Sequence, residues 1–167
     1  KDDPISGGRH KVWGSKPLWV LPQTSTIASH LPKAFGTAVA IEQARRIGHQ
    51  LPIPADSIVI CSFGDASSNH ATAQTAFNAA GWTAYQQLPA PVLYDGLDIA
   101  EGYGQVARAV EHCRTSRRPT FLHLRTTRIM GHAGTDFEIE WRSFEELMAV
   151  EAGDPLLRSA EIALASG

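Results

Sequence analysis

Asp65 stands in a Gly-Asp turn between an apolar run at 58–63 and a helical stretch, within SIVICSFGDASSNHATAQTAFNAA at 57–80. In this setting its carboxylate faces the free N–H groups and positive dipole end of a helix, a combination that attracts anions. A diphosphate arriving beside that carboxylate needs a cation between the two. Mg²⁺ suits the role, because it binds through one or two carboxylates plus phosphate oxygens. His132, in RIMGHAGTD, is a second chemically capable group: an imidazole on a Gly-flanked loop can move a proton or steady developing charge. A metal-dependent hydrolase would instead combine Asp65 with His70, His123 or His132. Against it, His123 alternates with Leu122 and Leu124 as a strand residue does, in the core or on a solvent face, and His70 has no second ligand at a metal spacing.

These residues need a frame to hold them. Ile58, Val59, Ile60, Cys61 and Phe63 form the β-branched, apolar run of a strand covered on both faces. Gly64 permits a sharp turn, and Ser67 or Ser68 can cap the next helix. Upstream, a helix is expected over 31–48, with Pro32 in its first turn and Gly48 near its C-cap; its small residues allow close packing. Asp98 and Glu101 have capping-box spacing for a helix over 98–114, and 120–127 reads as a strand. A loop is expected over 128–142, then a helix opened by a Ser143/Glu146 capping box and a last one started by Asp154 and Pro155. The alternation of helices and apolar strands predicts a three-layer α/β fold with a mostly parallel sheet between helices. Pro91, Val92 and Leu93 start a strand that Asp95-Gly96 cuts short of the usual ~5–6 residues. That shortness implies residues missing between Leu93 and Asp95.

The 167 residues, 43% hydrophobic and 19% charged, fit one domain with a real core. A net charge of −2 gives no electrostatic case for nucleic acid or membrane partners. Arg114, Arg117 and Arg118 read as a solvated helix end. The two cysteines, Cys61 and Cys113, read as packing residues in a reducing compartment, and a cytoplasmic location is expected. Residues 1–30 form an irregular leader, with Trp13, Trp19, Leu18, Val20 and Leu21 among Gly and Pro, and 31–167 form the domain proper. A start at Lys1 without Met, and aromatics that need cover, suggest part of a larger assembly.

Four segments, in order, carry a family resemblance: SGGRHKVWG, TSTIASHLPKAFGTAVA, FGDASSNHATAQTAFNAA, and YDGLDI with PTFLHLRTTRIMGHAGTDFEIEWRS. From about Gly7 onward the chain resembles the alpha subunit of the thiamine diphosphate-dependent 2-oxo acid dehydrogenases, the pyruvate, branched-chain and acetoin dehydrogenase family. The resemblance implies a thiamine diphosphate-binding fold in which Asp65 ligates the Mg²⁺ of the cofactor's diphosphate. It further implies backbone contacts to that diphosphate from Gly64, Ala66 and Ser67, and a cofactor pocket lined by Ser25 and Ile27. His132 matches the family's active-site loop His beside the cofactor's reactive carbon, and Arg128 and Asp136 would order that loop. An alkali-metal site of some members falls near Thr24, Ser29 and His30, but His30 replaces the usual Gln, so that ion is not expected.

The implied activity is oxidative decarboxylation of a 2-oxo acid, with acyl transfer to a lipoyl group on an acyltransferase partner. A beta subunit or fused beta domain would complete the site. The chain departs from the family at three places. Ala66 replaces the second Gly of the turn, and Ala133 replaces the Ser that mitochondrial members carry after the loop His, which excludes a kinase switch there. The Asn-rich segment with the next Mg²⁺ ligands is absent and would fall between Leu93 and Asp95. A non-catalytic, structural or regulatory alpha-like subunit is the alternative that this last departure raises.

Overall fold

A computed structural model describes residues 12–96, 103–124, 128–131 and 134–166. The chain opens with a hairpin of β1 (Val12–Ser15) and β2 (Val20–Thr24), antiparallel and irregular between Trp13 and Ser15. The expectation of an irregular leader is therefore corrected over 12–24. The hairpin was hidden because β2 lacks a period-2 burial pattern, its register slips, and Pro22 sits in it without an N–H to donate. Helix α1 (His30–Arg46) follows, close to the expected span. It ends in a Schellman arrangement: the His49 N–H donates to the Ala44 carbonyl at 2.8 Å and the Gly48 N–H to that of Arg45 at 3.0 Å, with Gly48 at φ 73.

Strand β3 (Val59–Ser62) leads through a 3₁₀ turn (Asp65–Asn69) into α2 (Ala71–Tyr85). Strand β4 (Val92–Gly96), α3 (Tyr103–Ser116) and β5 (Thr120–His123) come next. The three strands form a parallel sheet in the order β3-β4-β5. β4 runs unbroken through Leu93, Tyr94 and Asp95, five residues long and paired in register on both sides, so the expected shortness is corrected. Its pairing partners carry it through Asp95 to Gly96, where local turn propensity had marked a break. The Asp98/Glu101 capping box lies outside the described residues. A second 3₁₀ turn (Glu138–Glu140) precedes α4 (Phe144–Ala152), and α5 (Pro155–Ser166) ends the chain's described part. Ser143 and Glu146 form the expected capping box, at 3.2 and 2.8 Å, and Asp154 accepts from the Leu156 N–H at 2.8 Å. The protein is thus mixed α/β with a small parallel sheet.

Alternation along the strands divides the packing between two faces. Cys61 and Val92 join Ala34 and Ala38 of α1 and Ala73, Ala76 and Ala80 of α2 in one core, where the small side chains let the helices approach closely. Phe63, Phe77 of α2 and Phe121 of β5 extend it as an aromatic trio with centroids 5.4–6.0 Å apart. On the opposite face Leu93 is fully buried beside its register partner Thr120, and the Cys113 thiol of α3 donates to the Arg118 carbonyl at 3.5 Å. Both cysteines are free and buried, as packing residues should be.

At the N-terminal edge of the sheet one residue ties the strands together. The Arg117 guanidinium donates to Glu42 Oε1 of α1 at 2.5 and 3.1 Å and to the Asp56 and Ser57 carbonyls ahead of β3, each at 3.0 Å. Its own carbonyl accepts from the Ala90 N–H ahead of β4 at 3.0 Å. Its backbone is left-handed, φ 55, an arrangement that costs a non-Gly residue about 1 kcal/mol and that these bonds offset. The reading of Arg117 as a solvated helix end is corrected, because its side chain is only 19% exposed and paired. Arg114, in contrast, is exposed and reaches Asp56 only at 3.8 Å.

Two outcomes follow from this packing. Glu42→Ala leaves the Arg117 guanidinium half-buried without its anion and should cost about 3 kcal/mol, read from the urea midpoint at unchanged slope. Burial pushes the Cys61 thiol from 9.0 up to about 12. The folded state therefore keeps a proton that the unfolded chain releases, and stability should fall as pH rises from about 9 toward about 12, by up to ~1.4 kcal/mol per pH unit from this group. Comparing the pH slopes of unfolding for wild type and Cys61→Ala isolates that contribution.

Candidate functional site

The C-terminal ends of the parallel strands, where ligands bind in open α/β sheets, gather the chemically capable positions. Ser62 ends β3, and Phe63 and Gly64 lead into the 3₁₀ turn that Asp65 opens. Ser62 is paired with Asp95 of β4, and Gly96 with His123 of β5. The loop toward His132 leaves the sheet at this same end. His132 itself lies outside the described residues, as does Ala133.

Gly64 has ordinary extended dihedrals, φ −82 and ψ 156, so the turn does not depend on glycine's left-handed freedom as expected. A Cβ added there would meet no atom within 4 Å, so internal packing does not demand a glycine either. Ser67 spends its N–H on the Gly64 carbonyl at 3.0 Å, which closes the turn. Neither Ser67 nor Ser68 caps α2. That role falls to His70, whose Nδ1 accepts from the Thr72 N–H at 3.2 Å, and the intervening 3₁₀ turn is why the helix starts later. A backbone amide thus accounts for His70, and His123 is exposed at the strand end as an alternating strand predicts. Among the described residues no three His, Cys, Asp or Glu side chains converge to hold a metal.

Ser25 and Ile27 lie on the turn between β2 and α1. Ala28 is fully buried with φ 62, a strained left-handed residue held by the core, while Ile27 beside it is 62% exposed. The Ser29 N–H donates to the Thr26 carbonyl at 3.3 Å, and the Thr24 and Ser29 hydroxyls are 3.4 Å apart. Lys33 Nζ donates to the Pro22 carbonyl, fixing the hairpin on α1. His30 then joins this turn to the sheet: its Nε2 lies 3.0 Å from the Ser62 carbonyl. A carbonyl only accepts, so Nε2 carries the proton. The turn holding Ser25 and Ile27 and the turn holding Gly64, Asp65, Ala66 and Ser67 are thereby brought to one end of the sheet.

Two residues at this end escaped sequence reasoning. Asp95 brings a second carboxylate-bearing position in register with Ser62, three residues before Asp65; only the strand pairing reveals it, since locally it reads as an Asp-Gly turn. His30 had drawn notice only as a replacement at an ion site. Acidic residues therefore stand at or just beyond two adjacent strand ends, the type of donor that Mg²⁺ with a diphosphate uses. A cavity of about 830 Å³ runs along the outer edge of β3 and adjoins this site, with Trp19, Leu21, Ile41, Ile58 and Ile60 as well as His30 and Ser62 in its walls. No protein-family model matches the chain.

His70→Ala should cost about 1 kcal/mol of stability through loss of the cap, with His70→Asn restoring most of it, as thermal unfolding would read. A ligand role would instead make the loss depend on added metal.

Proposed function

We propose that the chain is the diphosphate-binding alpha half of a thiamine diphosphate-dependent 2-oxo acid dehydrogenase. The single observation that carries this reading is the His30–Ser62 hydrogen bond of 3.0 Å, which sets the Ser25/Ile27 turn beside the Asp65 turn at the C-terminal end of a parallel sheet. A link between two sequence segments that the resemblance assigns to one cofactor supports this reading. Asp65 would hold Mg²⁺, with Gly64, Ala66 and Ser67 forming the backbone cradle of the diphosphate. Asp95 would approach from β4, a ligand position that compensates for the absent Asn-rich segment. Ile27, exposed on its turn, would pack against the cofactor's rings, and Ser25 would line the same wall. When bound, thiamine diphosphate supplies the nucleophile for the 2-oxo carbon and the electron sink for loss of CO₂. His132 would move protons and steady charge beside the substrate.

The acyl group would pass to a lipoyl group on an acyltransferase. A beta subunit or fused beta domain would complete the site. The exposed Phe137, Trp141, Phe144, Leu156 and Leu157 of the C-terminal region support association with another chain. No helix among the described residues is long and apolar enough to cross a membrane. A cytoplasmic location without membrane or nucleic acid partners goes with this reading. The lost Asn-rich segment favours one second reading, a non-catalytic alpha-like subunit.

One experiment separates the two. The full-length protein with its beta half should bind thiamine diphosphate only with Mg²⁺ and oxidise a 2-oxo acid. Asp65→Asn should abolish the Mg²⁺-dependent binding, and His132→Ala should leave binding intact while lowering turnover by about 100-fold or more. Wild-type complex that binds no cofactor would favour the non-catalytic subunit, and wild-type turnover in His132→Ala would remove that residue from the chemistry.

A further inference from the structure

We infer that His30 is a positioning residue that couples the two halves of the cofactor site. This rests on the reading of the Asp65 turn as a diphosphate site, but the coupling itself is a property of the chain. Residues 12–29 form their own small unit: among the described residues β1 pairs only with β2, Lys33 of α1 binds the Pro22 carbonyl, and the Thr24 and Ser29 hydroxyls approach each other. Ala28 packs this unit into the core beside Leu31 and Ala34 of α1 by apolar contact, which is non-directional, and Lys33 ties it to α1 but not to the sheet. The His30 bond to the Ser62 carbonyl is directional, and it spans 32 residues of sequence.

The position of that carbonyl gives the bond its effect. Ser62 is the last residue of β3, and only Phe63 and Gly64 separate it from Asp65. In a parallel ladder, alternate residues of a strand bond to opposite sides. The Val59 N–H donates to the Pro91 carbonyl ahead of β4, so Ile60 and Ser62 turn their backbone groups to the outer edge. No further strand lies on that edge among the described residues, and Ser62 is held there by the His30 ring instead. The strand end that launches the Asp65 turn is therefore fixed on one side by β4 and on the other by a side chain of α1. Nδ1 of His30 has no partner among the described residues, so the ring is oriented by this one bond and by its backbone. An amide side chain at residue 30 could donate to the same carbonyl, whereas a methyl group could not.

The test compares full-length wild type, His30→Ala and His30→Gln by amide hydrogen exchange and by binding of Mg²⁺ with thiamine diphosphate. His30→Ala should speed exchange selectively in the 62–70 segment and weaken cofactor binding about tenfold, the scale of one net hydrogen bond. His30→Gln should restore both. Unchanged exchange in the 62–70 segment of His30→Ala would overturn the inference. So would a rise spread evenly over the chain that His30→Gln fails to repair, since that marks general destabilisation. If wild type binds no cofactor while the selective exchange effect and its rescue persist, the diphosphate reading fails and the coupling stands.

Discussion

The Arg117 guanidinium organises the fold, because one planar group satisfies partners from separate parts of the chain at the place where all three strands begin. It meets the carboxylate of Glu42 on α1 and the carbonyls of Asp56 and Ser57 before β3, while its backbone carbonyl receives Ala90 before β4. Burying such a cation costs more than one contact returns, and its bonds to Glu42 and to two carbonyls make the arrangement favourable. The left-handed backbone at Arg117 is tolerated for the same reason: it turns the chain from α3 into β5 while keeping the side chain under α1. A lysine could supply the charge but not the fork that divides it among carboxylate and carbonyls.

With the strand starts secured, the opposite end of the sheet can be built from turns. Helix α1 runs antiparallel to β3 and is fastened to it at both ends, by Glu42 through Arg117 to Ser57 and by His30 to Ser62. The alanine faces of α1 and α2 hold the helices close but specify little about their sliding, so the polar links at the two ends set the register. The aromatic trio of Phe63, Phe77 and Phe121 adds a third anchor beneath the Asp65 turn. The candidate site thus consists of short segments held over a rigid base, a common division of labour between scaffold and function.

The chain leaves much apolar surface open. Ile60 on the outer edge of β3 and the large side chains of the C-terminal helices are exposed, and α4 buries none of its residues. A sheet of three strands covers only part of what its flanking elements present. Apolar surface of this extent is the kind that another chain covers, the role that the proposed beta half would take.

Local chemistry was legible in the sequence. The Ser143/Glu146 box, the Asp154-Pro155 start and the Gly48 end of α1 each follow from neighbours within a few residues, and each is found; β3 is found as well, but as an edge strand among the described residues with Ile60 exposed, which corrects the expectation of cover on both faces. The Asp65 turn was legible as a break after the β-branched run, but Gly64 is ordinarily extended and Asp65 opens a 3₁₀ turn rather than standing at the N-terminus of α2. What tertiary structure decided were the features built from distant residues. The β1–β2 hairpin has no clean alternation, β4 extends through an Asp-Gly pair because strands on both sides supply its hydrogen bonds, and α2 begins at His70 because the 3₁₀ turn delays it. Arg117 lies 75 residues from Glu42, and His30 lies 32 from Ser62. No local pattern marks either pair, since an arginine at a helix end and a histidine at a helix start are both ordinary on a solvated surface. Their roles exist only once folding brings the distant partners together, and for Arg117 and Glu42 burial has also removed much of the competing water.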